Sequence, residues 1–183
     1  MGLFNIIKQV IAFRKAFKEQ VKREAEYVQM ANAELPKLSD DELYSAVRAR
    51  TEKLVSAKED LLEGFNSLNE EQRIFYAVNY LEMEVNNGGL CQFFVNSSRM
   101  IAPFVSEYMA VIGADSHKEL FDQFIIKHNI DLQDLTSFRI EKIEDYQKQY
   151  ERYPFDDYDN LFCELDPLQY YLVPFVKKHI EKF

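Results

Sequence analysis

Only ten residues of this 183-residue chain are glycine or proline, five of each. A β-sandwich or barrel turns about every 8–12 residues and draws on Gly, Pro or Asn to do so. Long stretches here contain none of these. Apolar residues recur instead at i, i+3, i+4 and i+7, the period of an amphipathic helix. The reading is all-α: a single compact multi-helix domain of about eight or nine helices, led by a long amphipathic N-terminal helix. Hydrophobic residues make up 47%, with 15 Phe and 11 Tyr, enough for one sizeable core.

Two of the five glycines are adjacent, in Glu84-Val85-Asn86-Asn87-Gly88-Gly89-Leu90-Cys91-Gln92-Phe93-Phe94-Val95-Asn96-Ser97. Either glycine can take a positive φ and end a helix. A second helix must then start almost at once, and its first N–H groups need acceptors. Asn86, Asn87 and the Glu84 carboxylate are close enough in sequence to supply them. Gln92 and Asn96, four apart, share one helix face. Phe93 and Phe94 drive the second helix inward, and Asn96 or Ser97 can cap the next element. The favoured reading is a buried polar corner that fixes an interhelical angle. The other is a small amide-lined binding pocket.

The remaining elements follow from periodicity and caps. Residues 3–31 form one helix, with Leu3, Ile6, Ile7, Val10, Phe13, Phe17, Val21 and Val28 on its stripe. Residues 1–34 read as an arm and 35–183 as the body. Ser39-Asp40-Asp41-Glu42 is a capping box opening a helix whose buried face is Leu43, Val47, Leu54 and Val55. A connector over 58–68 holds one turn near Asp60–Glu63 and closes at Gly64. Asn69 caps a helix with Ile74, Phe75, Val78, Leu81 and Val85 inside. Pro103 opens a helix that Gly113 ends. Asp115 or Ser116 caps the next, on Leu120, Phe121, Phe124 and Ile125, and Asn129 closes it. A helix from Thr136 or Ser137 to Tyr150 carries Phe138, Ile143, Tyr146 and Tyr150 at workable spacing. A short acidic helix over 156–165 turns Tyr158, Leu161 and Phe162 inward. Asp166-Pro167 caps the last helix, which kinks at Pro174.

Charge divides the chain. The first 23 residues hold six cations (Lys8, Arg14, Lys15, Lys18, Lys22, Arg23) against Glu19, net +5; the rest holds 16 cations against 30 acids, net −14, for a total of −9. Direct nucleic-acid binding is not expected of so acidic a chain. The basic helix suits an anionic membrane, the acidic body or a second copy, and packing against protein is favoured for its broad stripe. Gly2 raises myristoylation, but Ile6 stands where that signal needs Ser or Thr. Without a signal peptide or a membrane-length apolar run, the expected location is the cytoplasm.

No catalytic or cofactor chemistry is legible. Phosphate loops, dinucleotide fingerprints and nucleophile elbows are missing. His117, His128 and His179 are scattered, and none follows a Glu by three. Cys91 and Cys163 read as buried free thiols. Glu82 and Glu84, two apart, diverge on a helix, and the carboxylates in general read as solvated. The expectation is no enzyme, no cofactor and no metal.

Glu84-x-Asn86-Asn87-Gly88-Gly89-Leu90-x-Gln92-Phe93-Phe94-x-Asn96-Ser97 resembles the signature of a bacterial family of unknown function typified by a DNA-mimic protein. Leu38-Ser39-Asp40-Asp41-Glu42-Leu43, Ile112-Gly113-Ala114 and Phe155-Asp156-Asp157-Tyr158-Asp159-Asn160-Leu161-Phe162 are similar to its other marks. The likeness covers roughly 38–182, with Leu90 where an aromatic is usual and Arg99 where Gly is common. It implies an all-helical domain and an acidic surface that occupies the DNA-binding face of a basic regulatory or nucleoid protein.

Mimicry needs clustered charge. A body of this length is about 40 Å across, and duplex DNA of that length carries roughly 24 phosphates. The candidate clusters are Asp40-Asp41-Glu42, Glu59-Asp60-Glu63, Glu141-Glu144-Asp145, and Asp156-Asp157-Asp159 with Glu164. The expected function is a non-enzymatic, acidic protein-binding module in the form of a DNA mimic. One alternative is a toxin- or enzyme-neutralising immunity-type inhibitor. Another is a membrane-surface or self-association module through residues 3–31, as a homodimer or in peripheral membrane contact.

Overall fold

The computed structural model describes residues 3–183. Gly2 lies outside the described residues, as do the side chains of Leu3 and Ile7. The described chain is all-α: nine α-helices and four short 3₁₀ segments, with no strand among the described residues. In order these are α1 (Leu3–Gln29), a 3₁₀ turn (Asn32–Lys37), α2 (Asp40–Val55), α3 (Leu61–Ser67), α4 (Glu70–Val95), a 3₁₀ turn (Ser97–Ile101), α5 (Ala102–Ile112), α6 (Asp115–Lys127), a 3₁₀ turn (Thr136–Phe138), α7 (Ile143–Arg152), α8 (Phe155–Cys163), α9 (Gln169–Lys178) and a closing 3₁₀ turn (Ile180–Lys182).

α4 is the axis of the fold. Its inner residues Ile74, Phe75, Val78, Leu81 and Val85 are buried, and α2, α5, α8 and α9 pack around it. Beyond its break, Phe93 and Phe94 are fully buried. The Phe94 ring lies 4.7 Å from Phe138, 5.5 Å from Phe93 and 6.4 Å from Phe121, centroid to centroid. Leu90 is also fully buried.

The caps explain several boundaries. The Ser39 N–H and hydroxyl both donate to Glu42, at 3.1 and 2.6 Å. Asn69 and Gln72 cap each other's backbone at the start of α4, and their side-chain amides also donate to the Lys182 carbonyl. Gly113 ends α5 at φ 78°, and Asn129, at φ 50°, turns the chain after α6.

Other expectations are corrected. Gly64 does not close α3 but sits inside it, because a Cβ there would overlap the Val55 backbone of α2. Leu54, Ile143 and Leu161 are 46%, 78% and 51% exposed, not inward. The span from 136 to 150 is not one helix: a 3₁₀ turn buries Phe138, and α7 begins at Ile143. Ala114, not Asp115 or Ser116, occupies the N-cap of α6. α9 starts after Leu168 rather than at Asp166-Pro167, and runs through Pro174. Cys91 is buried, but Cys163 is exposed.

The widest departure concerns α1. Tyr27 is its one buried hydrophobic residue among those described. Glu24 pairs with Arg48 of α2 at 3.1 Å, and Arg50 donates to the Tyr27 and Met30 carbonyls and to the Asn32 side chain. These contacts fix the C-terminal end. The stripe toward the N-terminus does not pack on the body: Ile6, Val10, Phe13, Phe17 and Val21 are 45–71% exposed. No helix among the described residues is long and apolar enough to cross a membrane.

Candidate functional site: the glycine corner and the acidic surface

The break in α4 falls at Gly88 (φ −157°, ψ 24°) and Gly89 (φ 77°, ψ 174°). The first is an ordinary extended φ. The second lies in a region essentially reserved for glycine. A Cβ on Gly89 would also overlap the Asp159 carboxylate, which reaches the corner from α8 and would have to shift.

That approach supplies the acceptor the second half of α4 needs. Asp159 Oδ1 accepts the Leu90 N–H at 2.8 Å. Asn86 and Asn87, credited with this task from the sequence, are exposed and do not perform it. Burial pushes the Asp159 carboxyl above its ordinary value, and the Leu90 N–H works against that rise. From α7, the Tyr146 hydroxyl donates to the Gly88 carbonyl at 3.4 Å. Burial also pushes the neighbouring Cys91 thiol up to about 12, far from a nucleophilic thiolate.

Glu84 organises the inner side of the corner. It is 5% exposed and accepts from Gln92 Nε2 at 2.5 Å and Asn96 Nδ2 at 3.0 Å. The Ser98 hydroxyl is shared between Glu84 Oε1 (3.2 Å) and the Phe93 carbonyl (2.8 Å). Gln92 and Asn96 therefore do face the same way, toward one carboxylate. Asn96 spends its amide on Glu84 and makes no side-chain cap on the next turn. Arg99 donates to the Val95 and Asn96 carbonyls at 2.9 and 2.7 Å, covering the last turn of α4.

Glu82 and Glu84 do diverge, but neither is solvated. Glu82 Oε1 accepts the Leu168 N–H at 2.7 Å and so caps α9 from 86 residues away. Its signal was present in the sequence: Glu82 stands one turn beyond Val78, on the apolar stripe of α4. Asp159 carried no such signal, since its partner is 69 residues distant.

The acidic clusters are used unequally. Asp40 pairs with Lys177 at 2.6 Å, Asp41 accepts from Gln169 at 2.7 Å, and Glu42 is held by Ser39, so this group ties α2 to α9. Asp60 caps the Glu63 N–H at 2.8 Å, and Glu63 lies 3.5 Å from Lys58, leaving Glu59 without a partner among the described residues. Asp145 pairs with Lys148 at 2.9 Å and accepts from the Glu141 N–H. Glu141, Glu144, Glu151, Asp156, Asp157 and Glu164 are exposed and without an ion pair or side-chain hydrogen bond among the described residues. Residues 141–164 carry eight acids and three cations. No cluster of three or more His, Cys, Asp or Glu side chains suited to a metal occurs among the described residues.

The family described as DMP19-like protein matches residues 66–179, which include the whole glycine corner, α8 and α9. No curated protein and no solved structure is significantly similar to the chain.

Proposed function

From the premise that the chain belongs to the DMP19-like protein family, we propose that it is a non-enzymatic, cytoplasmic module that binds a basic protein through an acidic face, as a DNA mimic. The observation that carries this reading is the run from Glu141 to Glu164, with eight acids against three cations, whose exposed acids Glu141, Glu144, Glu151, Asp156, Asp157 and Glu164 make no ion pair among the described residues. Fixed negative charge on a rigid surface steers a cationic partner and discriminates among partners. In this reading residues 1–34 are an arm and 35–183 the body. Asp159 holds the scaffold and Asp40 and Asp41 are engaged by α9, while Glu59, Glu141, Glu144, Asp156, Asp157 and Glu164 meet the partner.

The test is capture on the immobilised full chain, followed by elution with duplex DNA. Displacement of the captured protein by DNA is expected, together with loss of capture in a Glu144→Lys, Asp156→Lys, Asp157→Lys, Glu164→Lys variant. A captured protein that DNA cannot displace counts against mimicry. If that protein is an enzyme inhibited stoichiometrically, a neutralising role takes its place.

The exposed stripe of α1 favours a second reading, in which this basic helix associates with a second copy or lies on an anionic lipid surface. Sedimentation and liposome flotation, each with and without residues 1–34, separate the two. No difference in either assay removes this reading.

A further inference from the structure

The body absorbs only the C-terminal end of α1. Every described side chain from Asn5 to Arg23 is exposed, on all sides of the helix. A helix in water is marginal by itself, and an amphipathic one gains most of its stability by covering its apolar side. That side is large here: Ile6, Val10, Phe13, Phe17 and Val21 are 45–71% exposed. At about 100° per residue these five fall within a sector of about 80°. Contiguous exposed apolar surface marks a place of attachment.

The contacts that hold α1 to the body use a different side. Ala16, Gln20 and Tyr27 lie about a quarter turn from the stripe and line a groove with Ser45 and Arg48 of α2. The stripe stops at Glu24, which pairs with Arg48. Something else can therefore cover the stripe while those contacts stay in place.

The residues bordering the stripe identify its occupant. Arg14 and Lys18 flank it on one side and make no ion pair among the described residues. Lys22 and Lys15 lie beyond them, with Ile11, 62% exposed, in their midst. Gln9 and Gln20 flank the other side. Glu19 is the only acid between Asn5 and Arg23, and it points the opposite way, toward Lys15. A second copy paired antiparallel would set Arg14 and Lys18 against their own kind. Paired parallel, it would set them against Gln9 and Gln20. Neither seam supplies a counter-charge. An anionic lipid surface supplies one to every cation on this side, at the depth where apolar side chains enter the acyl boundary.

We propose that α1 lies in the plane of an anionic membrane. Ile6, Val10, Phe13, Phe17 and Val21 enter the acyl boundary, and Arg14, Lys18 and Lys22 meet the phospholipid headgroups. This rests on the reading of α1 as an attachment surface, and selects lipid over a second copy. The helix is not long and apolar enough to cross a membrane, so the tether is peripheral. Residues 24–183, with 16 cations against 30 acids, are repelled by the same surface. Binding therefore needs the stripe and the cations together.

The test is flotation of the full chain with phosphatidylcholine vesicles, with and without phosphatidylglycerol as half the lipid. Sedimentation velocity without lipid accompanies it. The chain is expected to sediment as a monomer, to float with the anionic vesicles and to stay behind with the neutral ones. Phe13→Glu, Phe17→Glu and, separately, Arg14→Gln, Lys18→Gln are each expected to lower partitioning about tenfold or more. All four positions are exposed, so both variants are expected to melt with the parent. Lys53→Gln, Lys178→Gln makes the same charge change off α1 and is expected to partition as the parent does. Equal flotation with both kinds of vesicle, or parental partitioning in either α1 variant, overturns the proposal. A chain that does not float but sediments as a dimer, which Phe13→Glu, Phe17→Glu dissociates, also overturns it and leaves a second copy as the cover of the stripe. A monomer that does not float removes both.

Discussion

At Gly89 the backbone sits at φ 77° and ψ 174°, and a Cβ would enter the Asp159 carboxylate. Gly89→Ala therefore meets two penalties and is expected to cost about 2–4 kcal/mol in urea unfolding. Gly88→Ala meets one, since its φ is extended and the overlap is with the Gln92 side-chain amide, which can move. It is expected to cost about 1–2 kcal/mol, chiefly by pulling Gln92 off Glu84. A larger cost at Gly88 than at Gly89 would contradict this account. Glu82 offers a test in pH. Burial raises its carboxyl above the ordinary 4.5, with the Leu168 N–H opposing. A carboxyl whose folded pKa is raised contributes stability that is present below the unfolded value and lost as pH rises through the folded value. Glu82→Gln keeps an acceptor for Leu168 and removes the ionisation. The stability of this variant relative to the parent should therefore improve from about pH 4 to about pH 7. Urea midpoints that differ by a constant amount across that range would show that Glu82 does not titrate as its burial implies.

Among the elements, α3 depends on a glycine for proximity rather than for conformation. Gly64 lies inside the helix against the Val55 backbone. Gly64→Ala, normally favourable in a helix, is here expected to destabilise by about 1–3 kcal/mol through overpacking. Thermal melts that show a gain would place α3 further from α2 than described. α1 is the opposite case, a helix whose described stripe residues from Ile6 to Val21 are exposed. The sequence could show that Val10, Phe13, Phe17 and Val21 share a face, but not that this face misses the body. The C-terminal end is fixed by Tyr27, Glu24 and Arg50, and those contacts set the rotation of the whole helix. The misplaced start of α7 has a similar cause. Phe138 and Tyr146 fit one helical period, yet Phe138 stacks on Phe94 from a separate 3₁₀ turn.

Over the whole molecule the charge is uneven. The acids at the start of α2 are consumed by Lys177 and Gln169 of α9, whereas Glu144, Glu151, Asp156 and Asp157 on α7 and α8 are exposed and without an ion pair among the described residues. Association through the open acids should weaken steeply with salt, because exposed charges are screened within about 8 Å at physiological ionic strength. Capture that survives about 1 M salt undiminished would point to an apolar interface instead. The pair Asp40–Lys177, with both side chains more than half exposed, contributes little to stability. Lys177→Ala is expected to shift the melting temperature by only a degree or two.

The all-α class, the positions of most helices, the break at Gly88–Gly89 and the shared face of Gln92 and Asn96 are legible from the order of the residues. Each is a local property, set by hydrophobic period, by caps within one turn, or by the freedom of glycine. Packing of distant segments settles that Asp159 caps Leu90, that Glu82 caps α9, and that the α1 stripe from Ile6 to Val21 is exposed. Those outcomes depend on pairs 69 and 86 residues apart and on how one helix is rotated against another. No local pattern encodes such pairs, because a carboxylate on a helix reads the same in sequence whether water or a distant N–H completes it.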